Sequence, residues 1–370
     1  MSMVEWKKLG DVCTFKRGKT ITAKNAVNGS IPVIAGGQTP SYYHNESNRT
    51  GESITVAGSG AYAGFVSYWN QPIFVSDAFT VEPSEILLHK YIFHWLKMNQ
   101  EHIFDTQKGA GVPHVHGKDI AGFIIPVPSL TEQARIVSIL DTFTASIENL
   151  KQQIAERRKQ YEYYRDELLD LEGKEGVEMK KLGQICEIKG RIGFRGYTRG
   201  DQVTKGEGAI SLSPGNITDG IINYDSCTYI TWGKYNESPE IKTYNGDIIL
   251  CKTASVGKVA MVANLPEKAT INPQLVVLKN IKINSKYLYQ QLSTHKIQVI
   301  LKGLAGVGSV PNISQEKLGN LGVVIPSIEE QSRIVSILDT FEASIANLEA
   351  QLKEREKQYE FYRNKLLTFE

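Results

Sequence analysis

Cysteine is scarce: four residues in 370, Cys13, Cys186, Cys227 and Cys251, lie far apart with no CxxC pair. That spacing speaks against a zinc ribbon or a disulfide framework and fits a reducing cytoplasm. Long apolar runs are missing too. No stretch approaches the ~20 residues of a membrane helix, and the opening MSMVEWKKLGD has no apolar secretion core, so a cytoplasmic chain with no membrane partner is expected. Neither sign of charge dominates, with 42 Lys plus Arg against 40 Asp plus Glu. Hydrophobic content of 41% and a mean hydropathy of −0.25 exclude collagen-like, mucin-like and wholly disordered chains. At 41.2 kDa the chain is too long for one ordinary core and about right for two.

The near-neutral total conceals a partition. Residues 1–131 carry 11 basic and 10 acidic residues, and 173–329 carry 19 and 13. Residues 132–172 carry 6 and 9, and 330–370 carry 6 and 8. A basic excess confined to two stretches is what a polyanion-binding surface requires, although scattered solvated lysines would give the same modest figure.

The strongest signal is internal duplication. Residues 132–172 and 330–370 align at an offset of 198, with 28 of 41 positions identical. Fainter echoes lie outside this block. Val4–Gly18 answers Val177–Gly190, placing Cys13 opposite Cys186; Lys90-Tyr91 answers Lys286-Tyr287; Val112-Pro113 answers Val310-Pro311. The chain therefore reads as globular domain 1–131, long helix 132–172, globular domain 173–329 and long helix 330–370.

Each repeated helix carries an apolar seam with alternating steps of four and three, from Ile136 to Leu171 and from Ile334 to Phe369. A 3.5-residue period held for five heptads demands a partner helix. Two copies in one chain make the economical arrangement an intramolecular antiparallel coiled coil with a pseudo-two-fold axis, a stiff spacer of about 53 Å at ~1.5 Å per residue. Only Arg157 and Arg355 interrupt the seam, at equivalent positions; they either fix register or snorkel outward. Thr131 with Glu132 and Ser327 with Glu330 mark the helix starts, the latter with capping-box spacing.

The globular domains read as mixed α and β, giving an α+β chain overall. Ile31–Ile34, Ile54–Val56, Phe65–Tyr68, Ile73–Val75 and Phe79–Val81 are strand-like, and a helix is expected near 85–104. Candidate DNA contacts sit in the loops. The first domain offers Lys16, Arg17, Lys19, Gln38, Tyr42, His44, Arg49, Ser59, Tyr62 and His114. The second offers Arg191, Arg195, Arg199, Lys252, Ser255, Lys258 and Lys302. Arg and Gln can bond base edges bidentately, Lys mostly finds phosphate, and small residues let backbone approach a groove.

Catalytic patterns are incomplete. Gly18-Lys19-Thr20 ends like a phosphate loop, but the glycine required five residues earlier is Cys13. Asp225 with Glu240 and Lys242 has nuclease-like spacing without a supporting carboxylate cluster, and His114 with His116, expected on alternate sides of a strand, lack a third ligand. The chain reads as non-catalytic, with no catalytic or metal-binding residue. A stand-alone nuclease and a scaffold that never touches DNA are the rival readings.

The helix-start motifs Glu132-Gln133-x-Arg135-Ile136-Val137 and Glu330-Gln331-x-Arg333-Ile334-Val335 follow Ile125-Pro126-Val127-Pro128 and Ile325-Pro326. With Trp6-Lys7-Lys8-Leu9-Gly10, Met179-Lys180-Lys181-Leu182-Gly183 and Gly246-Asp247-Ile248-Ile249-Leu250, they cover essentially the whole chain. In this combination the sequence resembles the DNA specificity subunit of type I restriction-modification enzymes. The resemblance implies two target recognition domains, each reading one half of a bipartite asymmetric site on double-stranded DNA. It implies a helix pair that sets the gap between halves and docks two modification subunits. Those partners would bring S-adenosylmethionine and methylate adenine, and restriction subunits would add ATP- and magnesium-dependent translocation and cleavage, leaving no cofactor here. A ~53 Å spacer equals about 16 base pairs, an upper bound. Because the variable parts of the two domains differ strongly, the two half-sites should differ.

Overall fold

Short β-branched runs and two very long helices build the architecture. The computed structural model describes residues 4–191, 198–306 and 310–369. They form two units, residues 1–153 with 348–370, and residues 154–347.

In the first unit, Glu52–Ala57 is a central strand of an antiparallel sheet ordered Cys13–Arg17, Ala78–Pro83, Glu52–Ala57, Val66–Asn70. Strand periodicity turns Ile54 and Val56, opposite Val81 and Phe79, to one face. There they share a core with Tyr91, Ile92, Trp95 and Leu96. The other face is mixed: Ala78 and Trp69 pack with Ile34, Ile73 and Val75, while Trp69 Nε1–H donates to Thr55 Oγ1 (2.9 Å) and Arg49 Nε–H to Thr80 Oγ1 (3.0 Å). A smaller sheet, Tyr42–His44, Ile31–Ile34 and Phe74–Val75, has its last pair parallel.

The second unit repeats this plan. Glu187–Lys189, Leu275–Lys279, Ile248–Cys251 and Val259–Met261 follow in the same antiparallel order. Thr228–Thr231, Gly208–Leu212 and Ala269–Ile271 replace the smaller sheet, again with one parallel pair. Edge strands Gln202–Val203 and Lys242–Thr243 are added. Here Ile249, Cys251 and Val277 pack on Ile210, Leu212 and Ile271, where the first unit has Thr55 and Thr80. The wider second sheet supplies the apolar surface that makes this face a core.

The helix expected near 85–104 is two, His89–Met98 and Gln100–Asp105. Asn99 separates them, its Nδ2–H donating to Trp95 O at 2.9 Å and ending the first.

The long helices run Leu130–Leu169 and Ile328–Leu367, 40 residues each. Leu171 and Phe369, the last seam positions, lie just past their ends. Thr131 is not the first cap: Ser129 Oγ accepts from Glu132 N–H (3.3 Å), as Ser327 Oγ does from Glu330 N–H (3.2 Å). Glu132 and Glu330 do not complete a capping box; each instead takes two hydrogen bonds from the arginine three residues on, Arg135 or Arg333.

Within each unit the head of one helix meets the tail of the other, so the pairing is antiparallel. In the first, Ile136 and Leu140 share a core with Leu367; in the second, Ile334 and Leu338 share one with Leu169 and Leu171. The seam arginines lie over aromatic rings of the partner helix. Arg157 is 5.9 Å from the Phe341 ring and Arg355 5.7 Å from Phe143, each ring also stacked on a tyrosine, Tyr164 or Tyr362.

Two matched joints tie the long helices to the globular parts. Lys90 pairs with Asp141 (2.5 Å) and Lys286 with Asp339 (2.6 Å); the neighbouring Tyr91 and Tyr287 hydroxyls donate to Pro126 O (2.8 Å) and Val324 O (3.0 Å). One turn on, the joints differ. In the second unit the Tyr161 hydroxyl donates to Gln290 Oε1 at 2.8 Å. In the first, fully buried His94 stands between Asp141 Oδ1 and the Tyr359 hydroxyl, 3.0 Å from each. A carboxylate only accepts, so His94 Nε2–H donates to Asp141 and Nδ1 accepts from Tyr359.

Burial holds the His94 imidazole below the ordinary histidine range, although Asp141 pulls it upward; Lys90 and Arg363 add to the lowering. Below about pH 6.5 the unfolded chain therefore takes up a proton that the folded chain refuses, and stability falls as pH drops through that window. His94→Gln, which installs the residue type of Gln290, should flatten this dependence. Urea unfolding between pH 7.5 and 5.5 checks it; parallel profiles for both chains would contradict the assignment.

Candidate nucleic-acid interface

The strand Glu52–Ala57 runs into a short loop that a second, distant loop clasps by main-chain bonds. Gly58 N–H donates to Asp77 O (3.0 Å), Val115 N–H to Gly58 O (3.1 Å), and Gly60 N–H to Pro113 O (3.0 Å). Gly64 N–H closes the loop on Ala57 O (2.8 Å). The second unit makes the same four bonds: Lys252 to Gln274 (2.9 Å), Ile313 to Lys252 (2.8 Å), Ala254 to Pro311 (3.0 Å) and Gly257 to Cys251 (3.0 Å). Even the conformation is retained, with φ +86° at Gly60 and +63° at Ala254, where the methyl group adds strain.

A matched glutamine holds each loop from the helical layer. Gln100 Nε2–H donates to Gly64 O (2.8 Å) and Gln298 Nε2–H to Gly257 O (2.9 Å). In the first unit a third loop leans in: a side chain at Gly36 would stand 2.2 Å from Ser59 O, so only glycine fits.

The clasp gathers Ser59, Tyr62 and His114, with Gln38 exposed on the loop beside it; in the second unit it gathers Lys252 and Ser255. Lys16, Arg17 and Lys19 are exposed along the strand Cys13–Arg17 and just beyond it. Arg199 is exposed on the turn Arg199–Asp201 and Lys302 on the helix His295–Leu304. Arg195 lies outside the described residues.

Several candidates serve the fold instead. His44 is buried, and its Nδ1 accepts from Val27 N–H (3.1 Å). Arg49 donates to the carbonyls of Lys16 (3.1 Å) and Arg17 (3.2 Å), which braces their strand. The Tyr42 hydroxyl donates to Ile21 O (2.6 Å), and Lys258 Nζ to Pro214 O (3.3 Å) and Ile217 O (3.1 Å). Arg191 is buried with Nε–H on Ile271 O (3.1 Å). Each of these side chains is committed to a main-chain group of its own unit. His114 and His116 share one face, their rings stacked at 6.2 Å, because residues two apart on extended backbone point the same way, while Val115 turns inward.

Asn312, Gln100 and Gln298 are not among the candidates that the sequence offers. The match of Val112-Pro113 with Val310-Pro311 already set Asn312 opposite His114, but a glutamine supporting a loop from a helix has no sequence signature. Burial of Lys252 holds its ammonium below the ordinary lysine range. Burial pushes the matched Cys13 and Cys186 thiols up to about 12, as for packing groups rather than nucleophiles. Among the described residues no group of three His, Cys, Asp or Glu is arranged to hold a metal, and Lys242 Nζ is bonded to Asn236 Oδ1 (2.8 Å) rather than poised at a nuclease centre. No helix of the described residues is long and apolar enough to cross a membrane.

The type I restriction modification DNA specificity domain matches this chain twice, over residues 1–157 and 174–357. The type I restriction enzyme EcoR124I/EcoR124II specificity subunit of Escherichia coli is 30% identical, covering 99% of this chain and 94% of that protein. A putative type I restriction enzyme specificity subunit of Haemophilus influenzae is 26% identical over 100% and 96% of the two chains. A solved type I restriction-modification S subunit from M. genitalium has the same fold, with TM-score 0.61 over 99% of this chain and 97% of that one at 18% identity. A further chain, solved in work on assembly and conformational transition of the type I system, superposes with TM-score 0.60 over 99% and 98% at 18% identity. The chain belongs to the type I restriction-modification DNA specificity family: it is a non-catalytic subunit that recognises DNA sequence and works in a complex with other subunits of the system.

Proposed function

We propose that each unit reads one half of a bipartite, asymmetric site on double-stranded DNA, while the paired long helices set the gap and seat two modification subunits. The observation that carries this is the duplicated clasp: one backbone arrangement, made by the same four hydrogen bonds in each unit, presents different side chains. A shared frame with different contents suits two readers of related geometry and unlike sequence. Exposed basic residues near the loops, Lys16, Arg17 and Lys19 in one unit and Arg199 and Lys302 in the other, would meet phosphate.

Docking is supported by a second duplication. Tyr163 and Phe361 occupy equivalent helix positions and are 63% and 60% exposed, each edge-on to a second exposed ring, Tyr164 or Tyr362. Two matched aromatic positions suit two copies of one partner. The modification subunits would supply S-adenosylmethionine chemistry on adenine, and restriction subunits ATP- and magnesium-dependent cleavage, in the cytoplasm. The test is to map methylated adenines on DNA treated with modification subunits, with and without this chain. Methylation confined to one split, non-palindromic sequence, and only when the chain is present, is expected; unchanged methylation without it would overturn the reading.

A further inference from the structure

The clasp contains one position in each unit where the outward side chain stands on doubly tethered backbone. His114 follows Pro113, whose carbonyl is held by Gly60, and precedes Val115, which is fully buried and bonded to Gly58. Asn312 follows Pro311, held by Ala254, and precedes Ile313, fully buried and bonded to Lys252. Both are exposed, and each pairs by a bridge with the opposing loop, Ser59 with His114 and Thr253 with Asn312. We infer that Asn312 and His114 are matched specificity-determining residues, each reading base edges in its own half-site.

Four features support this, on the basis of the half-site reading above. The backbone on both sides of each residue is anchored, so little ordering entropy is lost when the side chain meets a base. In the first unit the flank is lean: Gly109 and Gly111 precede His114, which lets that loop approach a groove closely. The residue types differ between units although the surrounding bonds do not, as a discriminating position requires and a structural one does not.

The fourth is orientation. Thr253 Oγ1–H donates to Asn312 Oδ1 (2.7 Å), which fixes the carboxamide oxygen against the loop and leaves the Nδ2 donors for a ligand. A donor there suits positions whose base edge presents acceptors, such as purine N7, guanine O6 or thymine O4 in the major groove. In the first unit the imidazole stacks on His116, which holds the ring plane while its nitrogens stay at the edge.

The test uses the full chain assembled with its modification subunits and a library of DNA sites, scored by initial methylation rate. Asn312→Ala is expected to lower discrimination at one or two base positions of a single half-site by roughly ten-fold or more, leaving the other half unchanged. His114→Ala should do the same for the opposite half. Asn312→Asp, which replaces the outward donor by an acceptor, should lose methylation of the original site almost entirely. Thermal unfolding of each variant reports folding, and Asn312→Ser is the second variant should the alanine chain be unstable. An equal fall at every sequence would mark a phosphate contact and overturn the inference, as would an unaltered pattern. Replacing residues 1–131 separates the two levels. If that swap moves a half-site while the point variants do not, the inference fails and the half-site reading stands; if the swap moves nothing, the reading itself fails.

Discussion

Exchange of residues 1–131 for those of another specificity subunit should change one half of the methylated sequence completely and leave the other half and the gap as they were. The expected effect is large because a wrong base costs about 1–3 kcal/mol at each position, and several positions change together. The structure adds a condition. Lys90 and His94 meet Asp141 and Tyr359, which lie outside the exchanged segment, so the incoming domain must present compatible groups at the joint. A donor with a lysine at position 90 and a group at 94 that can meet Asp141 and Tyr359 should assemble; one without them should lose stability before specificity can be read. Sequencing of methylated sites is the measurement, and a change in both halves would contradict modular reading.

Replacing Gln133 by leucine should destabilise the first unit by roughly 2–5 kcal/mol, among the largest effects available to a single substitution. Gln133 is fully buried at the start of the long helix. Its Oε1 accepts from Leu88 N–H (2.9 Å), and its Nε2 donates to Ile86 O (2.8 Å) and Pro128 O (2.9 Å). Leucine fills similar space but leaves three polar groups without their partner, the Pro128 carbonyl among them in a buried bond. Gln331 has the same duty, bonded to Asn284 N–H (3.0 Å) and Pro326 O (2.9 Å). Arg135 in the same motif is exposed and, among the described residues, pairs with Glu132 alone, so Arg135→Ala should shift stability by less than about 1 kcal/mol. Urea unfolding of the two variants distinguishes them, and equal losses would show that the fastening lies elsewhere.

Duplication made much of this legible. The 198-residue offset exposed the two helices, and a 3.5-residue seam can be satisfied only by a partner, so pairing followed from the apolar pattern alone. The strands Ile31–Ile34 and Ile54–Val56, the second running Glu52–Ala57 in the structure, announced themselves by β-branched residues between turn formers. Individual site residues were harder. His44, Arg49, Lys258 and Arg191 are basic or aromatic residues near loops, which is all a sequence can say of them. Their partners, Val27, Thr80, Pro214 and Ile271, are between 17 and 80 positions away and reachable only after folding.

What the sequence alone determined was the plan: two related domains, two long helices and the need of each helix for a partner. These follow from periodicity and repetition, which are local and countable. Tertiary structure decided which side chains are spent and which are free, because main-chain bonds between Gly58 and Val115, or Lys252 and Ile313, join segments about sixty residues apart. A side chain's availability depends on which buried donors and acceptors have already claimed it, and that settlement is made in space rather than along the chain.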